Sequence, residues 1–230
     1  DRGYLFDCGE GTQIAMKRWH AGFRQIDLLA VTHLHGDHVL GIPGFLMARA
    51  HAGADGELVV VGPPGTRRFV EHVVADVDFV PPYGLRFLEV DAADLSASDA
   101  ETGGRRGEPH EVYRDHRCRL EAAPLRHNAP CLGYRLVEHE RPGRFHPERA
   151  RRLGVPEGPL WGRLQRGEAV SLPGGARVEP AEVLGPARPG RSCVMITDTL
   201  PCPGAYRLLE GADIAFLEGM FLERDWEAIE

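Results

Sequence analysis

Residues 26–38 read IDLLAVTHLHGDH: an apolar run, Ile26 to Thr32, breaks off into three imidazoles and a carboxylate within six positions. A short apolar run closed by a glycine turn predicts a buried strand. On a helix those polar groups would point in several directions. On a loop leaving a strand they can converge, because an extended step sends residues two apart to the same side. His33 and His35 then face one metal, and the turn at Gly36 swings Asp37 and His38 towards a second. Imidazole nitrogen and carboxylate oxygen without thiolate suit a catalytic zinc site that keeps a position open for water. A solvated histidine turn is the bland alternative, but it does not account for a cluster set on the end of a buried strand.

Upstream, Tyr4-Leu5-Phe6 reads as a short strand running into the glycine turn Asp7-Cys8-Gly9-Glu10-Gly11, after which Thr12 caps a helix through about Trp19. Downstream, HVLGIPGFLMARAHA from His38 is apolar on a helical period but broken by Gly41, Pro43 and Gly44, giving a loop that enters a helix ending near Gly53. Leu58 to Val61 is a strand stopped by Gly62-Pro63-Pro64-Gly65, and Thr66 caps a helix to about Val77. Alternating strand and helix predicts an α/β protein. Asp91 to Asp115, poor in large apolar residues, reads as an exposed connection. Order returns with strands at Arg119–Leu125, Leu132–Val137, Cys193–Thr197 and Ile214–Leu217 and a helix from Gly204 to Leu209.

Two distant residues extend the cluster. His127 follows the strand that ends Ala123-Pro124-Leu125, and Asp198 follows Val194-Met195-Ile196-Thr197, so both lie just past strand ends, where loops carry ligands. Singly, each could be a satisfied strand-end residue; together with residues 33–38 they bring the set to two metals. Two zincs ~3.5–4 Å apart stabilise the attacking and leaving oxygens of an in-line displacement at phosphorus. Asp37 is the candidate for both ligand and proton acceptor.

With 230 residues and 43% hydrophobic content, the chain is expected to form one domain with at most one appended element. It holds no run of about 18 apolar residues, and its start shows no basic segment followed by an apolar one, so a soluble, cytoplasmic protein is expected, with no membrane partner. Five cysteines (Cys8, Cys118, Cys131, Cys193, Cys202), odd in number and never C-x-x-C, argue against a disulfide framework or thiolate knuckle. The formal net charge of −7 excludes a surface that is everywhere a nucleic-acid footprint and leaves local basic patches open.

The H-x-H-x-D-H segment resembles the metallo-β-lactamase superfamily. Several flanking pieces resemble ribonuclease Z within it: LFDCGEGTQ (5–13), GIPGF (41–45), GPPGT (62–66), PLRHNAPCLGY (124–134) and TDT (197–199). The resemblance implies a metallo-β-lactamase fold, a four-layer αββα sandwich spanning 1–230, with an inserted flexible tRNA-binding arm at 141–168. Between Arg141 and Gly167 that insert carries seven arginines against two glutamates, a local excess of +5 suited to phosphate contacts. By resemblance, His33, His35 and His127 hold a first zinc, Asp37 and His38 a second, and Asp198 bridges them. Glu218 resembles a family glutamate that supports a catalytic histidine, and it stays outside the expected ligand set.

The activity implied is cleavage of the 3′ trailer from precursor tRNA, leaving a 5′-phosphomonoester, by a homodimer in which one subunit's arm serves the other's site. Members of the family also carry a strand and a glycine-rich turn ahead of LFDCGEGTQ and two histidine motifs after the position of Glu230. The chain is therefore expected to be part of a longer protein, with N- and C-terminal parts missing. A thioester hydrolase or another phosphodiesterase of the superfamily would keep the metal ligands without needing a basic arm. A non-catalytic RNA-binding relative would lose ligands that this chain retains.

Overall fold

The protein is described from a computed structural model, which covers residues 2–95 and 105–219. These fall into two compact units, Asp1–Asp115 with Arg119–Leu136 and Ser192–Glu230, and His116–Cys118 with Val137–Arg191.

The first unit is built on two sheets. Strands β1 (Gly3–Phe6), β2 (Ile26–Ala30), β3 (Leu58–Gly62) and β4 (Leu85–Glu89) lie side by side in that order, all parallel. A parallel sheet covered on both faces needs strands that are apolar throughout. β3 meets this demand, with all five residues buried. The second sheet runs β11 (Ile214–Leu217), β10 (Ser192–Ile196), β7 (Leu132–Glu138), β6 (Cys118–Pro124), β5 (His110–Arg114).

Alternate residues of each strand serve different layers. Leu28, Ala30, Val59 and Val61 point to one side of the first sheet and pack against Leu120, Ala122, Leu132 and Tyr134 of the second, making the core between sheets. Leu29, Val31, Leu58 and Val60 point the other way, onto Ile42, Phe45 and Leu46 of helix α3 (Ile42–His51) and Val70 of α4 (Thr66–Asp76). On the outer face of the second sheet, Ala123, Val194 and Ile196 meet Ala205 and Leu208 of the helix Pro203–Leu209. Helix, sheet, sheet and helix form four layers, as the motifs implied.

The second unit has a small core of its own, Ala150, Val155, Leu164, Val170, Val178 and Val183, with the Phe145 and Trp161 rings 5.2 Å apart. Helices Pro147–Arg152, Pro159–Gln165 and Pro180–Val183 surround an antiparallel pair of two-residue strands, β8 (Val170–Ser171) and β9 (Arg177–Val178). The segment 141–168 lies within this unit.

Three local expectations need correction. The stretch 91–115 is not all connection, because His110–Arg114 is a strand paired antiparallel with β6; residues 96–104 of that stretch lie outside those described. Thr12 and Thr66 do not cap their helices; each is the first helical residue, and its hydroxyl donates back to Gly9 O or Pro63 O. The capping positions are Gly11 and Gly65, both left-handed with φ 77° and 100°, which a glycine adopts without strain. The loop entering α3 also contains one helical turn, α2 (Gly36–Val39).

Candidate metal centre

The site is assembled where strands of both sheets run out. β1 and β2 are parallel and in register at Phe6 and Ala30, so Asp7 and the 31–38 segment leave the sheet at the same edge. β10 and β11 are paired at Ile196 and Leu217, which places Asp198 and Glu218 just beyond the second sheet. His127 sits in the turn between β6 and β7. The turns interlock closely: a Cβ on Gly9 would lie 1.9 Å from Asp37 O, and one on Gly41 would lie 2.0 Å from Gly9 O. Only glycine permits those approaches.

All six side chains expected as ligands come together. One nitrogen or carboxylate oxygen from each of His33, His35, His127 and Asp198 lies within 4.8 Å of the others, and Asp37, His38 and Asp198 make a second such group. Asp198 belongs to both. Its Oδ2 is 3.5 Å from His33 Nε2, 3.7 Å from His38 Nε2 and 3.9 Å from His127 Nε2. His127 Nε2 is 3.2 Å from His35 Nδ1, and Asp37 Oδ2 is 3.5 Å from His38 Nε2.

The electrostatics follow from burial and neighbours. His33 is fully buried, and desolvation foremost, then the nearby His38, lowers its pKa to about 4, so its ring is neutral at ordinary pH. Its Nε2 is buried and has no hydrogen-bond partner among the described residues. A buried bare imidazole nitrogen is costly unless something accepts its lone pair. A cation among nitrogen and oxygen donors fits that requirement, and among the described residues no thiolate joins the group. His38 is raised, chiefly by its hydrogen bond to Asp7.

Two residues were not in the expected ligand set. Asp7 accepts from Thr32 N (2.7 Å) and Thr32 Oγ1 (2.8 Å), and meets His38 Nδ1 at 2.8 Å. The sequence offered only its place in LFDCGEGTQ after an apolar strand. Glu218 lies against Asp198; this contact first, with desolvation, raises its pKa to about 7, and the same contact lowers that of Asp198.

Two facing sheets jacketed by helices, with a histidine and aspartate cluster beyond the strand ends, define a protein of the metallo-β-lactamase fold. The structure resembles human tRNase Z, short form, with a TM-score of 0.64 and 20% identity over 99% of this chain and 70% of that one. A long form RNase Z from yeast gives 0.53 and 15% over 99% of this chain and 29% of that one. The family described as Anti-Pycsar protein Apyc1 matches residues 1–61.

Sequence relatives narrow the class. Ribonuclease Z of Treponema denticola is 36% identical over 225 residues, 96% of this chain and 68% of the relative. That of Myxococcus xanthus is 40% identical over 224 residues, 97% and 67%, and that of Salinibacter ruber is 39% identical over 220 residues, 95% and 64%. The chain belongs to the ribonuclease Z family. It spans about two thirds of the length of these relatives.

Proposed function

We propose that this chain carries the catalytic centre of a zinc-dependent endoribonuclease that removes the 3′ trailer from precursor tRNA. The observation that supports this most is the convergence of six imidazole and carboxylate groups from separate segments around a buried, unpartnered His33 Nε2. His33, His35, His127 and Asp198 would hold one metal, and Asp37, His38 and Asp198 the other. When bound, such ions lower the pKa of water and stabilise charge on the phosphate.

The chain's own groups supply the rest. Asp37, with its side chain 72% exposed, reaches the solvent side of the cluster and is placed to take the proton of the attacking water. The water oxygen forms the new bond to phosphorus, the bond from phosphorus to the ribose O3′ breaks, and the trailer keeps the 5′-phosphate. His33 and His38, buried behind it, present nitrogen and exclude bulk water.

Substrate choice rests on the second unit. Of its arginines, Arg141, Arg151, Arg163 and Arg166 pair with Glu138, Glu157 or Glu168, whereas Arg144, Arg149 and Arg152 are exposed and have no carboxylate partner among the described residues. Unpaired guanidinium groups on one small unit suit the phosphates of a folded RNA, and we assign 141–168 as the tRNA-gripping arm. Five free cysteines fit a reducing compartment, the cytoplasm. No helix among the described residues is long and apolar enough to cross a membrane. The homodimer follows from family resemblance.

Substrate competition tests this reading. The full-length protein should cleave a 3′-extended precursor tRNA far faster than it hydrolyses a thioester. A thioester preferred over the precursor would assign the site to another branch of the superfamily.

A further inference from the structure

The stretches that follow β1–β4, β6, β10 and β11 at the cluster's edge are 7–11, 31–41, 63–65, 90–95, 125–131, 197–202 and 218–219. Seven aspartates and glutamates lie in them, against a single cation: Arg126 is their only arginine or lysine. An RNA chain brings a negative charge at every linkage. The linkage under attack is accounted for by the cluster. The linkages beside it would meet carboxylates, and like charges brought close repel.

The backbone of Arg126 is pinned. Arg126 N donates to Thr199 Oγ1 at 3.1 Å, Leu200 N donates to Arg126 O at 2.9 Å, and Arg126 and Leu200 form an isolated antiparallel bridge. Thr199 and Leu200 directly follow Asp198, and Arg126 directly precedes His127, so the residue is fastened between two members of the cluster. Its side chain is exposed and has no hydrogen bond or carboxylate partner among the described residues. His127 starts one Cα away, about 3.8 Å, and its ring reaches into the cluster, with Nε2 3.2 Å from His35 Nδ1 and 3.9 Å from Asp198 Oδ2. A guanidinium is carried on a longer chain than an imidazole. From this anchor it is long enough to meet a group lying over the cluster.

We propose that Arg126 is a substrate-binding residue whose guanidinium takes the non-bridging oxygens of the phosphate next to the one that is cut. The proposal rests on reading the cluster as the centre of an RNA-cleaving enzyme, and it adds a contact at that centre to those of the second unit. The planar fork of donors matches two phosphate oxygens, a geometry that a lysine ammonium lacks. Phosphate contacts fix the register of a nucleic acid on a protein. A rigidly anchored arginine beside the cluster thus decides which linkage lies over it.

The test uses a set of precursor tRNAs, each with one linkage near the cut made neutral as a methylphosphonate, and the zinc-loaded full-length protein with and without Arg126→Gln. Cleavage is followed as kcat/KM with the cut mapped on a gel, and affinity is measured in an Asp37→Ala background. On the unmodified precursor, Arg126→Gln should lower kcat/KM about tenfold, the worth of one charge-assisted hydrogen bond, and move part of the cuts to a neighbouring linkage. Where the linkage beside the cut is already neutral, the substitution should cost nothing further, whereas neutral linkages elsewhere should leave its cost whole. Zinc content by elemental analysis should not change, because no described group leans on the guanidinium. An undiminished cost at every position, no cost on the unmodified precursor, or loss of zinc from Arg126→Gln overturns the contact. Precursor that is never cut, yet loses affinity on Arg126→Gln only while the adjoining linkage is charged, would contradict the functional assignment and support the contact; normal cutting with an undiminished cost at every position would contradict the contact alone.

Discussion

Burial divides the clustered side chains: His33 is fully enclosed, whereas the Asp37 side chain is 72% exposed. A group placed where substrate arrives is suited to proton transfer, and one sealed behind it to holding a ligand position. Asp37→Ala should therefore lower kcat for precursor tRNA by orders of magnitude and leave tRNA affinity nearly unchanged, because the proposed tRNA contacts are the arginines of the second unit. Steady-state kinetics beside a binding assay checks this; equal losses in both would contradict it.

His33 and His38 are displaced in opposite senses. His33 falls to about 4 from 6.5, so between those values the unfolded chain takes up a proton that the folded chain refuses. Its effect is to remove stability as pH falls through that window. His38 is raised, so its contribution to stability is present at low pH and lost as pH rises through its folded value. Since the two oppose each other in bulk unfolding, ring-resolved NMR of the metal-free chain is the proper measurement. His33 should remain neutral until about pH 4 while His38 holds its proton above the ordinary histidine range. Protonation of His33 near 6.5 would show that its burial is wrong.

At the scale of elements, strands were legible where a single residue type dominates and obscure where charge interrupts. IDLLA and LVVV announce themselves, and β2 and β3 are accordingly buried along their length apart from Asp27. Leu85–Glu89 (LRFLE) went unread, and His110–Arg114 (HEVYR) was read as connection, because each carries charged side chains on its exposed positions. Both lie at sheet edges, where one flank is open and the apolar signal is weak. The second unit carries a prediction of its own. Replacing Arg144, Arg149 and Arg152 together by glutamine should raise KM for precursor tRNA at least severalfold and flatten its salt dependence, since each phosphate contact released adds to the salt slope. Turnover of a small phosphodiester should stay level. If both substrates suffered alike, these arginines would not be the tRNA contacts.

Across the whole molecule, the cluster of candidate ligands was legible because four of its members are packed into six residues, and the others sit at predictable strand ends. The supporting set was not: Asp7 acts on residues 25 and 31 positions away, and Glu218 on one 20 positions back, pairings that exist only once the sheets are aligned. The central claim is that this assembly is a metal-dependent tRNA 3′-processing centre. It is tested most directly by incubating the full-length protein with a 3′-extended precursor tRNA after complete removal of metal, and again after zinc is restored, and resolving the products on a gel. The account predicts no cut without metal, and with zinc a single cut that releases a 5′-phosphorylated trailer. Cleavage that survives complete chelation, or an intact precursor with zinc fully bound, would contradict it.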